Sequence, residues 1–172
     1  MSLKRSRFTT VLRFVIPILV TLLWLSFIYS NSLKNGEESS EQSGTVHEIV
    51  NDIADNIGIE EPIEEAEIRT GAHFLEFAVL SFLLCCDLVI FRTVTLKKKL
   101  YVSIPILCTS VPICFILACT DEFLQRFSED RGPSMEDVMT DTLGALCALA
   151  GFLVIFVSVF AIRKIIKKKS SI

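Results

Sequence analysis

The chain has no glycine-rich phosphate loop, no G-x-S-x-G nucleophile elbow and no internal repeat. P-loop nucleotide chemistry and elbow-type serine hydrolysis therefore lack their sequence machinery. Histidine is scarce, with 2 residues, His47 and His73. His73-x-x-Glu76 with Asp137 or Asp141 could bind a metal, but no paired ligand motif surrounds either histidine, so no metal centre is expected. The cysteines, Cys85, Cys86, Cys108, Cys114, Cys119 and Cys147, all fall inside long apolar runs. That placement excludes a disulfide framework and suits small buried hydrophobes. Basic residues gather in short tracts flanking those runs rather than along one stripe. No nucleic-acid partner and no cofactor is expected from such a pattern.

Apolar length is what the chain does have. Its 172 residues are 51% hydrophobic, with a mean hydropathy of +0.55. Spans are predicted at about 11–29, 72–91, 100–120 and 138–162, with polar loops at 31–71 and 121–137. Each span is close to the ~20 residues that cross a hydrocarbon core of about 30 Å. A bilayer offers the backbone no hydrogen-bond partner, so each span must be a helix. The expected fold is an all-α membrane protein, a four-transmembrane-helix bundle in a single domain, with an extracytoplasmic amphipathic helix. A basic start, an apolar stretch and Ser30-Asn31-Ser32 also fit a cleavable signal peptide. The stretch is long, however, and its removal would break the charge alternation, so it is expected to stay.

Charge placement predicts orientation. Lys4, Arg5, Arg7 and Arg13 open the first span; Arg92, Lys97, Lys98 and Lys99 join the second to the third. Arg163, Lys164, Lys167, Lys168 and Lys169 follow the fourth, so 13 of the 17 basic residues share one side of a four-span arrangement. The positive-inside rule makes that side, and both termini, cytoplasmic. The loop from Asn31 to Gly71 then faces outward and carries eleven acids against Lys34 and Arg69.

Local signals refine this plan. Residues 31–44 are rich in Ser, Gly and Glu and read as an irregular connection. In TVHEIVNDIADNIG, Val46, Ile49, Val50, Ile53 and Ile57 recur at helical spacing with acids opposite. This predicts an amphipathic helix lying over the bundle or at the interface. Pro62 followed by Glu64 and Glu65 suits a helix start, so the second membrane helix can begin outside the bilayer. Pro105 and Pro112 predict a kink in the third span. Gly132-Pro133 predicts a turn, and Ser134 with Asp137 an N-cap. Gly144, Ala148 and Gly151 form a small-residue stripe suited to close helix contact.

Seven acids crowd the stretch from Asp121 to Gly144. Helical spacing explains where they meet. Arg69, His73 and Glu76 share one face of the second span, and Asp137, Asp141 and Gly144 share one face of the fourth. Glu122 and Gln125 end the third, beside Arg126 and Arg131. An acid at the centre of a membrane helix costs roughly 2.5–3.5 kcal/mol, and one nearer the end costs less. Glu76 and Asp141 therefore need partners or water, and Arg69, Arg126, Arg131 and protonated His73 are the candidates. The predicted result is an outward-facing polar pocket with Glu76 and Asp141 as its floor. Its ligand-binding residues would be Arg69, His73, Glu76, Glu122, Gln125, Arg131, Asp137 and Asp141. A salt-bridge network that only locks the helices together is the plain alternative.

The chemistry of the pocket stays open at this point. Arginines suit phosphate or carboxylate, whereas the surplus of acids suits a cationic or hydroxyl-rich ligand. His73, Glu76, Asp137 and Asp141 could carry acid–base catalysis on a lipid-linked or cell-wall precursor. The small-residue stripe could instead seat a membrane partner protein. Beyond the lipid bilayer itself, the partner is expected to be a lipid, a cell-wall precursor or a glycopeptide.

The motifs also carry a resemblance. SNSLKNGEES follows the first span, R-x-x-x-H-F-x-E-F runs from Arg69 to Phe77, and E-x-x-Q-x-F-x-x-x-R runs from Glu122 to Arg131. Ser134-x-x-Asp137 and Gly144 complete the set. Over roughly Phe14 to Gly151 the chain resembles the VanZ-like family of small bacterial membrane proteins, named for a teicoplanin resistance factor. The resemblance implies a multi-pass protein of the bacterial cytoplasmic membrane and an association with glycopeptide tolerance. The family pattern usually has asparagine where this chain has Asp141.

Overall fold

Helices are the one regular structure that satisfies its own backbone inside hydrocarbon. The computed structural model describes residues 2–34, 36–58, 62–92, 103–128 and 132–169, and among them the regular elements are helical. They are α1 (Ser2–Ser32), α2 (Gly36–Asn56), α3 (Glu65–Phe91), α4 (Ser103–Cys108), α5 (Ser110–Gln125) and α6 (Met135–Lys169). The segments Val11–Ser32, Glu65–Phe91, Ile104–Gln125 and Met135–Arg163 are long and apolar enough to cross a membrane. The molecule is an all-α membrane protein.

Cross-helix contacts give the packing sense. Thr21 of α1 meets Asp87 of α3 near one end, and Asn31 meets Glu76 near the other, so α1 and α3 are antiparallel. Ser81 of α3 meets Ser110 at the start of α5, while His73 lies by Asp121 at its far end, so this pair is antiparallel too. α6 runs parallel to α3: His73 faces Asp141, and Cys85 packs with Leu149 further along. One core cluster joins Ile28, Phe77, Leu80, Cys114, Ala118, Val138 and Ala145, drawn from α1, α3, α5 and α6. A smaller one, Cys85, Leu107 and Leu149, lies toward the other end. Leu23, Ile116, Val154 and Ile155 remain exposed, as lipid-facing side chains do when hydrocarbon is the solvent.

The helix ends meet the sequence expectation in part. α3 starts at Glu65, ahead of the apolar span near 72, as Pro62 with Glu64 and Glu65 predicts, and the Glu64 N–H donates to Glu67 Oε2 at 3.3 Å. The third span runs to Gln125 rather than 120, because Asp121, Glu122 and Gln125 are buried and hydrogen-bonded, so nothing forces the helix to stop. α6 begins where the Ser134 cap predicts: the Asp137 N–H donates to Ser134 Oγ at 3.2 Å. The third span breaks at Thr109, between α4 and α5. Pro112 has no N–H for the carbonyl of Cys108, and its ring crowds that carbonyl. The Thr109 N–H bonds to the Ile106 carbonyl instead, at 3.1 Å.

α2 starts at Gly36, earlier than the expected start near Thr45. Asn51 fixes it to the approach to α3. Its Oδ1 accepts the Ile63 N–H at 2.8 Å, and its Nδ2 donates to the Ile63 carbonyl at 3.3 Å. Val46, Ile49, Ile53 and Ile57 stay exposed, and among the described side chains of this helix only Ala54 is buried. The apolar stripe therefore does not lie on the bundle; its exposure suits the boundary between headgroups and hydrocarbon.

Of the two glycines in the small-residue stripe, Gly144 makes the close approach and Gly151 does not. A Cβ there would sit 2.2 Å from the Phe74 carbonyl oxygen of α3. Gly151 is exposed, and a Cβ on it or on Gly71 would meet nothing within 4 Å. The α3–α6 seam is the most extensive in the bundle, and glycine lets it close at one point.

Candidate functional site

His73, Phe77 and Leu80 follow helical spacing on α3, and all three are buried. That face carries the imidazole into the bundle, where α6 presents Asp141. Gly144 lies one turn along from Asp141, and Phe74 is the neighbour of His73. The same close approach therefore sets the distance between His73 Nδ1 and Asp141 Oδ1, which is 3.5 Å. Asp141 has no solvent exposure, and neither of its carboxylate oxygens has a hydrogen-bond partner.

α5 supplies the third wall. Asp121 is fully buried and accepts a hydrogen bond from Ser32 Oγ at 2.5 Å. One turn later, the fully buried Gln125 donates through Nε2 to Glu122 Oε1 at 2.9 Å. The other Glu122 oxygen accepts the Ser134 backbone N–H at 2.6 Å. Glu122 thus ties the end of α5 to the start of α6. A carboxylate there also complements the positive end of the α6 dipole.

α1 completes the site. Asn31 Nδ2 donates to Glu76 Oε1 at 2.9 Å, and Trp24 Nε1 donates to the Glu76 carbonyl at 2.9 Å. Asn31 Oδ1 in turn accepts from Lys34 Nζ at 3.0 Å. Ser128 Oγ donates to the Ser32 carbonyl at 3.0 Å, joining the end of α5 to the end of α1.

The predicted pocket residues thus fall into two tiers. His73, Glu122, Gln125 and Asp141 are buried, and Glu76 is half-buried beside them. Arg69 and Asp137 lie one turn nearer the end of the bundle. They line an open cleft of about 490 Å³ with Glu65, Thr70, Gly132 and Ser134. Arg131 lies outside the described residues. The expected arginine partners of Glu76 and Asp141 are not what the structure provides. Arg69 and Arg126 are exposed, and neither pairs with those acids. Asn31 and His73 take that place, because α1 packs against α3 exactly where the acids would otherwise meet lipid.

Sequence reasoning missed Asp121, Asn31 and Ser32 as members of this cluster. Asp121 stands four residues before Gln125, so the helical spacing that singled out Gln125 also pointed to it. Asn31 and Ser32 were visible only as part of the SNSLKNGEES motif. It also passed over Asp87, whose Oδ2 accepts from Thr21 Oγ1 at 2.7 Å near the other end of α3.

The arrangement offers an imidazole beside a carboxylate, two further buried acids and a buried amide, all at one end of a membrane bundle. Such a set can bind cations, hold protons or accept hydrogen bonds from hydroxyls. The open cleft above it can accept a headgroup. No curated protein and no solved structure matches the chain. The family described as VanZ/LLP1 matches residues 16–158, which takes in the second and third spans whole, most of the first and fourth, and every residue of both tiers. With its membrane helices and its R-x-x-x-H-F-x-E-F and E-x-x-Q motifs folded onto one site, the chain belongs to the VanZ/LLP1 family.

Proposed function

We propose that the chain recognises an envelope component at the acidic end of its bundle and thereby lowers susceptibility to glycopeptides of the teicoplanin type. The cleft between α3 and α6 is the observation that carries this reading. It joins one guanidinium, Arg69, to the carboxylates of Glu65 and Asp137 and the hydroxyls of Thr70 and Ser134. Paired charges of both signs with hydroxyls suit an amine- and hydroxyl-bearing headgroup, such as a lipid-linked or cell-wall precursor or the glycopeptide itself. In the sequence, 13 of the 17 basic residues flank the spans on the side opposite the acidic loops, which supports an orientation with the acidic end outward and both termini cytoplasmic.

Expression in a susceptible bacterium tests this. The parent chain is expected to raise the inhibitory concentration of teicoplanin at least ~4-fold. Arg69→Ala, Arg131→Ala and Glu76→Gln are each expected to remove that protection at equal membrane abundance. Protection that survives all three changes, or no protection from the parent, would defeat the reading. The orientation has its own check. With the native cysteines replaced, Glu48→Cys on α2 should react with an impermeant maleimide in intact cells. Arg163→Cys should react only after lysis, and the opposite pattern would invert the topology.

A second reading is favoured by one contact, the 3.5 Å approach of His73 to Asp141. On it the chain is an acid–base enzyme of the membrane, using His73, Glu76, Asp137 and Asp141 on a lipid-linked precursor. Formation of a new product from labelled envelope lipid by the parent, and not by His73→Ala, would select this reading over the first.

A further inference from the structure

The deepest polar cluster is built like a metal centre. His73 from α3, Asp121 from α5 and Asp141 from α6 each bring a donor atom within 4.8 Å of the other two. All three side chains are buried, Asp121 and Asp141 completely. Neither carboxylate oxygen of Asp141 has a hydrogen-bond partner, whereas Asp121 accepts from Ser32 Oγ and Gln125 Nε2. A fully buried carboxylate without hydrogen-bond partners, as at Asp141, is among the costliest groups a membrane bundle can hold. The unpartnered oxygens of Asp141 and the unpartnered Nδ1 of His73 face one another across the cluster.

We propose that His73, Asp121 and Asp141 bind one divalent transition-metal ion. Two carboxylate oxygens and one imidazole nitrogen are a donor set that a divalent transition metal accepts. The mixture of one nitrogen and two oxygens suits Zn2+ or Mn2+. Ca2+ prefers six to eight oxygens, and Mg2+ keeps an all-oxygen octahedron, so neither fits a set that includes imidazole. Protein donors sit roughly 2.0–2.2 Å from zinc, so binding draws the three groups together by about 1 Å. Ser32 Oγ and Gln125 Nε2, both directed at Asp121, would orient that carboxylate toward the ion. The ion would then clamp α3, α5 and α6 at the end of the bundle where the open cleft lies. This centre stands whether or not the cleft recognises an envelope component.

The spacing concealed it. The three residues are separated by 48 and 20 positions and lie on different helices, so no local motif marks them.

The test uses the full chain purified in detergent, stripped with chelator, and then titrated with ZnCl2 or MnCl2. Bound metal is measured by mass spectrometry, and stability by thermal unfolding. About one equivalent of one of the two ions is expected, together with a higher unfolding temperature. Asp121→Asn and Asp141→Asn keep side-chain shape while removing charge. Each is expected to weaken binding about 100-fold or more. His47→Ala, half-buried on α2 away from the cluster, is expected to leave binding unchanged. Uptake below about 0.1 equivalent of both ions by the folded parent would overturn the proposal. So would unchanged affinity in both asparagine variants, which would place the metal elsewhere. Because the parent's stoichiometry decides by itself, misfolding of a variant does not leave the question open. None of these readouts depends on antibiotic susceptibility, so failure here and failure of the recognition reading are separable.

Discussion

Gly144→Ala is expected to cost about 3 kcal/mol and to lower the unfolding temperature by about 10 °C. The added methyl would sit 2.2 Å from the Phe74 carbonyl oxygen, 3.0 Å from the carbonyl carbon and 3.2 Å from Cα. All three are backbone atoms of α3, so no side chain can rotate away. Relief requires α3 and α6 to separate by roughly 1 Å to restore ordinary contact. That movement also parts His73 from Asp141, which flank the same crossing point. Gly151→Ala and Gly71→Ala are the matched controls, because each methyl meets open space. They should be neutral or slightly stabilising, since alanine is the better helix former by about 0.5–1 kcal/mol. Thermal unfolding of the three variants in one detergent distinguishes a true crossing point from a general preference for small residues. Equal behaviour of all three would remove Gly144 from that role.

Glu122→Ala is expected to be about as damaging, at roughly 3 kcal/mol, for a chemical rather than a steric reason. Both carboxylate oxygens are engaged, one by Gln125 Nε2 at 2.9 Å and one by the Ser134 N–H at 2.6 Å. Truncation leaves the fully buried Gln125 amide with only its 3.5 Å contact to Asp121 and uncovers the first turn of α6 at once. Glu122→Gln should recover most of the loss, to within about 1 kcal/mol. Its oxygen can accept from Ser134, and its amide can donate to Gln125 once that side chain turns over. Gln125 Oε1 is otherwise unpartnered and would then acquire a donor. Arg126→Ala, at the exposed neighbouring position, should stay within about 0.5 kcal/mol. A glutamine variant as weak as the alanine variant would show that charge, not the hydrogen-bond pattern, is what α6 requires.

Much of this architecture is written in local pattern. Hydropathy located the four spans, because the bilayer leaves the backbone a single solution within each. Ser134 located the start of α6, and Pro112 located the break in the third span, because caps and proline act within a turn of their own position. Periodicity put His73 on one face with Glu76 and Asp141 on one face with Gly144. The partners across the gap were not legible. Which helix lies against Glu76 depends on the arrangement of four rods, and Asn31 was only one polar residue in a loop-like stretch. The length of the third span was underestimated for the same reason. Asp121, Glu122 and Gln125 read as the end of a hydrophobic run until neighbours on α1 and α6 supply their hydrogen bonds. Arginine was the expected counter-charge because composition reveals which charges exist, not which of them can reach inward. Arg69 belongs to the rim of the cleft instead.

The interruption at Thr109 divides the third span mechanically. α5 carries Asp121, Glu122 and Gln125, whereas α4 belongs to the opposite half of the bundle with Leu107, Cys85 and Leu149. A continuous rod would transmit tilt from one bilayer face to the other. With the Cys108 carbonyl released from its proline-blocked partner, the two pieces meet at a joint. The local consequence is that the α4 half and the polar α5 half are linked through one residue, Thr109, rather than through an unbroken ladder of hydrogen bonds.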